Sequence, residues 1–206
     1  MIEREGPIRL VMALRLNGIT DTEILSSIER ISREAFLSNV SEEYVWEDIS
    51  HDFGHGLKLS RPFITTYLIQ SLDLGSRHRV LQVPTGLGYQ ASILSQLCRL
   101  VYTCDSNRTL RKEAEVRFKL LEINNIVSQV GSIEEGWPQQ APFDRILLNS
   151  GFDEAPQQLL DQLAPGGIFV APLGPDSSMR SITRITRKDK IFEHESLMLL
   201  PPAMIN

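Results

Sequence analysis

The sequence is poor in cysteine, with only Cys98 and Cys104 among 206 residues. Two cysteines cannot make a disulfide framework, and these form no paired zinc-ligand pattern, so a reducing compartment is expected. A chain of this size removes roughly 70% of its unfolded surface from water and needs no staple. No run approaches the ~20 apolar residues of a membrane span, and the start, Met1-Ile2-Glu3-Arg4-Glu5-Gly6-Pro7, has no signal-peptide apolar region. A cytoplasmic location without a membrane partner is expected. Positive charge is not in excess either: 21 Lys and Arg face 26 Asp and Glu, a net charge of −5. This argues against a chain that holds nucleic acid by neutralising phosphates. Internal repeats and low-complexity linkers are missing, so residues 1–206 are expected to form a single domain.

What is present is a regular alternation. Apolar residues at helical spacing from Ile8 to Leu16 predict a helix ended by Asn17-Gly18. Thr20 with Glu23 has the form of a capping box before a second helix. From Ser38 to Gly56 periodicity is lost and a long irregular segment is expected. A helix is predicted from Pro62 to Leu72. Then come Arg79–Val83 as a strand, Tyr89–Leu97 as a helix, Leu100–Cys104 as a strand, Asn107–Ile123 as a helix and Ile126–Val130 as a strand. Asp144–Asn149, a helix over Pro156–Leu163 ended by Pro165-Gly166-Gly167, and Ile168–Ala171 follow, with two β-like runs, Ser181–Arg187 and Ile191–Leu199, at the end. This βαβαβ order is the signature of a mostly parallel sheet with helices on both faces.

Right-handed crossovers bring the carboxyl ends of such strands to one rim, where open α/β sheets bind ligands at the switch in strand order. Three loops fall there: Pro84–Tyr89, Asp105–Arg108 and Gly131–Gly136. In Val83-Pro84-Thr85-Gly86-Leu87-Gly88-Tyr89 the glycines permit close backbone approach, and the following helix offers free N–H groups and a positive dipole end. A tight β-to-α turn with no ligand is the alternative. Asp105, about 20 residues beyond the glycine turn, is placed to accept both hydroxyls of a nucleoside ribose, or else to cap the helix beginning near Asn107. His51, Asp52 and His55 lie close together, but no ordered presentation is expected there, and no metal is predicted.

Seven segments carry a resemblance in order and spacing: Ile19-Thr20-Asp21 with Ser32-Arg33-Glu34-Ala35-Phe36, Trp46-Glu47-Asp48, Gly56-Leu57-Lys58-Leu59-Ser60-Arg61-Pro62, Thr85-Gly86-Leu87-Gly88-Tyr89-Gln90-Ala91, Gly136-Trp137-Pro138, Ala141-Pro142-Phe143-Asp144 and Gln162-Leu163-Ala164-Pro165-Gly166-Gly167. From about Gly18 to Pro175 the chain resembles protein-L-isoaspartate O-methyltransferases. The resemblance implies a class I methyltransferase-like, Rossmann-like three-layer α/β sandwich with an N-terminal helical extension. Within the single domain, 1–60 would be the extension and substrate-side loop, and 61–206 the α/β core. It implies S-adenosylmethionine as cofactor, held by Thr85, Gly86, Gly88 and Asp105. Isoaspartyl peptides or proteins would be the partners, their abnormal α-carboxylate being esterified so that the ester collapses to a succinimide. The hydroxyl of the family's Gln-Thr-Ile-Ser signature maps onto Ser60, beside the transferring methyl. Ser60 would position substrate, and it is equally suited to cap the Pro62 helix.

The departures fall in the same places. Gln82 stands for an acid near the methionine amino end. Pro84 replaces a glycine and removes an N–H. Ser132 follows Gly131 where the family has an adenine-reading Asp. Leu57 and Lys58 replace Gln and Thr before Leu59 and Ser60, and Lys58 is a mobile point charge able to attract a carboxylate or a solvated surface lysine. Phe152, in Asn149-Ser150-Gly151-Phe152, either narrows the pocket or packs a loop. Two readings follow: an S-adenosylmethionine-dependent carboxyl O-methyltransferase of isoaspartyl-repair type, or a catalytically silent relative that has lost the cofactor and acts by binding. Methylation of another acceptor, such as a small carboxylic acid, is a third.

Overall fold

The computed structural model describes residues 5–54, 57–175 and 179–201. Helix α1 (Glu5–Leu16) ends as expected at Asn17-Gly18, where Gly18 takes φ +94°. The Gly18 N–H then donates to Arg15 O and the Ile19 N–H to Leu14 O, so two orphaned carbonyls are satisfied. Helix α2 (Thr22–Arg30) is capped by Asp21 and not by Thr20: the Asp21 carboxylate accepts from the Glu23 and Ile24 N–H groups. Asp21 is the better placed acceptor because it directly precedes Thr22 in extended backbone, within reach of those two N–H groups; the Thr20 and Asp21 N–H groups both donate to Gln70 Oε1.

The segment expected to be irregular is partly ordered. It holds a short helix, α3 (Glu42–Val45), and an antiparallel hairpin of β1 (His51–Gly54) and β2 (Leu57–Leu59), in which His51 pairs with Leu59. Gly56 and His55 lie outside the described residues, and His55 takes the His51–His55 pair with it. Helix α4 (Pro62–Gln70) carries Pro62 in its first turn.

Then β3 (Arg79–Val83), α5 (Tyr89–Ser95), β4 (Leu100–Asp105), α6 (Arg108–Leu120), β5 (Ile126–Val130), β6 (Phe143–Leu148), α7 (Gln157–Asp161), β7 (Leu163–Leu173), β8 (Arg180–Lys188) and β9 (Ile191–Leu200) follow in order. One seven-stranded sheet runs β5-β4-β3-β6-β7-β8-β9, parallel through β7 and antiparallel for the last two strands. The helix predicted over Pro156–Leu163 is shorter, and Pro165-Gly166-Gly167 lies inside β7. Leu163 is buried and pairs with Phe143, which draws the chain into the sheet before the glycines, with irregular register there.

Strand side chains alternate between two cores, as a period of two requires. Val80, Leu147, Ile168 and Val170 join the core that also takes in α1, α2, α4, α5 and α6. Leu81, Val83, Ile146, Leu148, Phe169 and Ala171 join the one that takes in Leu159 and Leu160 of α7. The result is a three-layer, Rossmann-like sandwich. Its strand order reverses between β3 and β6, and the cleft opens at the carboxyl ends of β4, β3 and β6.

Candidate functional site

The cleft has a volume of about 350 Å³ and is lined by the turn from Pro84 to Gln90, by Asp105 to Asn107, by Asn149 and Ser150, and by Lys58 and Leu59 from the hairpin. After β3 the Val83–Pro84 peptide is cis, and the Thr85 N–H donates to Cys104 O at 3.0 Å, tying the turn to β4. Gly86 and Gly88 take φ +53° and +89°. They serve different ends: an added Cβ at Gly88 would meet the Phe118 ring at 2.7 Å, whereas one at Gly86 would meet nothing within 4 Å. Gly88 lets α5 pack against α6, and Gly86 leaves space above the loop.

Asp105 is 4% exposed, and its carboxylate accepts the Gly86 N–H and the Asn107 N–H, each at 2.8 Å. It is not the helix cap. Asn107 is, accepting from the Thr109 and Leu110 N–H groups. An ionised carboxylate has about four acceptor sites, so Asp105 shapes the turn and keeps capacity for a ligand hydroxyl.

Beneath the turn lies a directional chain of hydrogen bonds. Gln82 Oε1 can only accept, so the Thr103 hydroxyl donates to it at 2.9 Å, and the Thr85 hydroxyl must in turn donate to Thr103, also at 2.9 Å. Gln82 Nε2 donates to Pro84 O at 2.5 Å and faces Gln90 Oε1 at 3.4 Å. Gln82 and Pro84 therefore build the loop between them. Gln90, also lining the cleft, is 5% exposed, and its Nε2 has no partner.

On the opposite wall Lys58 and Leu59 face the cleft, together with Phe53. Ser60 follows them, buried at 4% exposure, and is not part of the lining. Nor is it the cap of α4: Arg61 occupies the cap position, and the orphan Phe63 N–H is taken by Asp48 Oδ1 at 2.8 Å. Asp48 also pairs with Arg61 at 2.6 Å, fixing the chain that leaves the hairpin. Deeper still, the fully buried Arg33 guanidinium lies over the Tyr89 ring, 5.3 Å from its centroid. Burial lowers the Arg33 pKa, while Tyr89 and Asp48 oppose that shift.

Ser132 does not line the cleft. Its hydroxyl accepts the Glu134 N–H, and the neighbouring Ile133 takes the place on the wall. Phe152 packs the loop and leaves the cleft alone, since its backbone bridges to Leu173 and its side chain joins the second core. The structure thus gathers Gln82, Pro84, Thr85, Gly86, Gly88, Asp105, Lys58 and Leu59 on one cleft, and leaves Ser60 and Ser132 out of its lining.

The sequence profile of the protein-L-isoaspartate(D-aspartate) O-methyltransferase family matches residues 7–200. The chain belongs to this family. A protein-L-isoaspartate O-methyltransferase of Rhodospirillum centenum is 44% identical over 191 residues, covering 92% of this chain and 86% of that protein. One from a Caulobacter species is 45% identical over 173 residues, covering 83% and 79%. Among solved structures, a protein-L-isoaspartate O-methyltransferase superposes with a TM-score of 0.85 at 26% identity. That match takes in 95% of this chain but only 64% of the other, so the chain spans just under two thirds of that protein. A Plasmodium falciparum structure described as an enzyme of the same name, in complex with S-adenosyl-L-homocysteine, has a TM-score of 0.78, with 93% and 95% covered. At 20% identity that likeness concerns the fold.

Three residues of this site were not legible in the sequence. Asp48 caps a helix that begins fourteen positions later, Arg33 carries its charge into the interior, and Gln90 presents an unmatched donor. Asp48, Arg33 and Gln90 all stand inside the segments that carried the resemblance, and that was the only signal for them.

Proposed function

We propose that this chain is an S-adenosylmethionine-dependent protein-L-isoaspartate O-methyltransferase, acting on the α-carboxylate of isoaspartyl residues in peptides and proteins. The observation that carries the reading is the meeting, in one cleft, of the glycine turn and Asp105 with the strand bearing Lys58 and Leu59. The residues present fit the cofactor: Gly86 leaves open space over the turn, Asp105 offers an acceptor for ribose hydroxyls, and Gln90 holds an unmatched donor. When bound, S-adenosylmethionine supplies an electrophilic methyl group on a sulfonium.

An unperturbed carboxyl has a pKa of about 3.5 to 4 and is already ionised at neutral pH. No general base is required, and the side chains work by placement and exclusion of water. Among the described lining residues Lys58 is the cation, and it would draw the acceptor carboxylate to the mouth. Ser60, two positions on, would hold the geometry of that wall. The silent reading finds no support in the relatives, and the positions that suggested it, Gln82 and Pro84, cooperate in shaping the turn. We further read residues 1–206 as one domain with a cytoplasmic location. One hydrophobic core running from Leu10 of the extension to Leu200 of the last strand supports the former, and the two unpaired buried cysteines support the latter.

The test uses tritium-labelled S-adenosylmethionine with an isoaspartyl peptide and its normal aspartyl counterpart. Base-labile label is expected on the isoaspartyl peptide alone. Label on neither peptide, or equally on both, overturns the reading.

A further inference from the structure

The free end of the hydrogen-bond chain under the turn has a fixed polarity. Each direction is forced: Thr85 donates to Thr103, Thr103 donates to Gln82 Oε1, and Gln82 Nε2 donates to Pro84 O. Rotating the Gln82 amide would set its oxygen against the Pro84 oxygen at 2.5 Å. Gln90 must therefore turn Oε1 toward Gln82, and its Nε2, buried and without a partner, is what the floor of the cleft has left to offer. A buried donor left unmatched carries an uncompensated desolvation penalty, which a ligand acceptor would relieve.

Placement narrows the acceptor. Asp105 stands at the end of β4 and accepts only, so it takes hydroxyl donors. Gln82 belongs to the neighbouring strand β3, and Gln90, from the first turn of α5, faces it at 3.4 Å; both line the same cleft as Asp105. Neighbouring strands are about 4.8 Å apart, so a ribose held at Asp105 directs its 5′ substituent across β3. The strong acceptor on that substituent is the carboxylate of the amino-acid end. Resting on the cofactor proposed above, we infer that Gln90 Nε2 binds the cofactor's amino-acid carboxylate, and that Gln82, neutral where an acid would face the ammonium, sets Gln90 to do so. This floor reads the anionic end of the amino acid.

Calorimetric titration compares S-adenosylhomocysteine with its decarboxylated counterpart, the aminopropyl thioether of adenosine. The native protein should prefer S-adenosylhomocysteine. Gln90→Leu, of similar size but no donor, should weaken S-adenosylhomocysteine by roughly 10- to 100-fold, as for loss of a hydrogen bond to a charged group, and leave the decarboxylated ligand within about twofold, since that contact is missing from it. Gln90→Glu keeps an oxygen facing Gln82 Nε2 and replaces the free donor by a carboxylate oxygen, which repels the ligand carboxylate. Preference should shift toward the decarboxylated amine, and this variant decides the matter if Gln90→Leu fails to fold. Equal losses of both ligands in Gln90→Leu, equal native affinities, or an unchanged preference in Gln90→Glu overturns the inference while the enzyme reading stands. A native protein that binds neither ligand overturns both.

Discussion

At Gly86 an added methyl group meets nothing within 4 Å, whereas at Gly88 it meets the Phe118 ring and, at 3.1 Å, Ala114. Both positions have positive φ, so alanine at either costs about 1–2 kcal/mol in backbone strain. Gly88→Ala adds overpacking of about 1–3 kcal/mol and should be clearly the less stable of the two in thermal melts. Gly86→Ala should melt about 2–8 °C below the native protein, from backbone strain alone, yet bind S-adenosylhomocysteine at least about tenfold more weakly, because its methyl occupies ligand space. Native affinity in Gly86→Ala would show that the open face of this glycine is not used. Asp105→Ala removes the acceptor of two backbone N–H groups along with the proposed ribose contact. At about 1.5–3 kcal/mol for a hydrogen bond to a charged group, titration should show a loss beyond tenfold. Gly86, Gly88 and Asp105 were legible in the sequence because each answers a local need, a positive φ or a carboxylate at a strand end, whereas Thr85 came with the resemblance. Gln90 was not, since its free donor exists only once the polarities of Thr85, Thr103 and Gln82 are known. Gln82 and Pro84 were read only as departures from the family pattern because their bond to each other joins a side chain to a backbone oxygen, which no spacing encodes.

The hairpin of β1 and β2 is the element that carries the acceptor wall; His51 within it, and His78 ahead of β3, are histidines whose neutral form the fold favours. His51 is 7% exposed and pairs with Leu59, and its pKa is lowered by burial and then by the Arg33 charge, with the Tyr44 backbone opposing. His78, whose Nδ1 accepts the Gly75 N–H, is lowered by burial and then by Arg145, with Asp144 and Asp73 opposing. A histidine whose pKa is lower folded than unfolded binds more protons when unfolded. Its contribution is therefore present above the unfolded value of about 6.5 and is lost as pH falls through the folded value. Urea denaturation between pH 8 and 5 should show stability constant above about pH 7 and falling below about 6.5, with a shallower fall in His51→Gln. A flat profile would mean that neither ring resists protonation. This element was not legible beforehand because strands of four and three residues are too short for periodicity to register. The same holds where β7 begins at Leu163, for Pro165-Gly166-Gly167 reads as a break although buried Leu163 already belongs to the sheet.

Over the whole molecule, the parallel order from β5 to β7 was legible because helices separate most of its strands, α5 after β3, α6 after β4 and α7 after β6. The antiparallel pairing of β8 and β9 follows from the tight turn at Lys188-Asp189, where Asp189 takes φ +54°. The fold encloses both thiols. Burial pushes Cys98 and Cys104 up to about 12, with the Asp105 charge adding to the effect at Cys104. Iodoacetamide at neutral pH should label neither cysteine in the native protein and both at once in urea, since the thiolate is the nucleophile. Rapid native labelling of either would show that its region opens on its own. Gln70 has a consequence of a different kind. Helix α4 is held at its start by Asp48 on the Phe63 N–H and at its end by Gln70, which accepts the Thr20 and Asp21 N–H groups. In hydrogen–deuterium exchange, the amides of Thr20 and Asp21 should lose protection together with Phe63, about 40 positions away along the chain but one helix away in space, so that the amino-terminal extension and the acceptor wall open as a single cooperative unit.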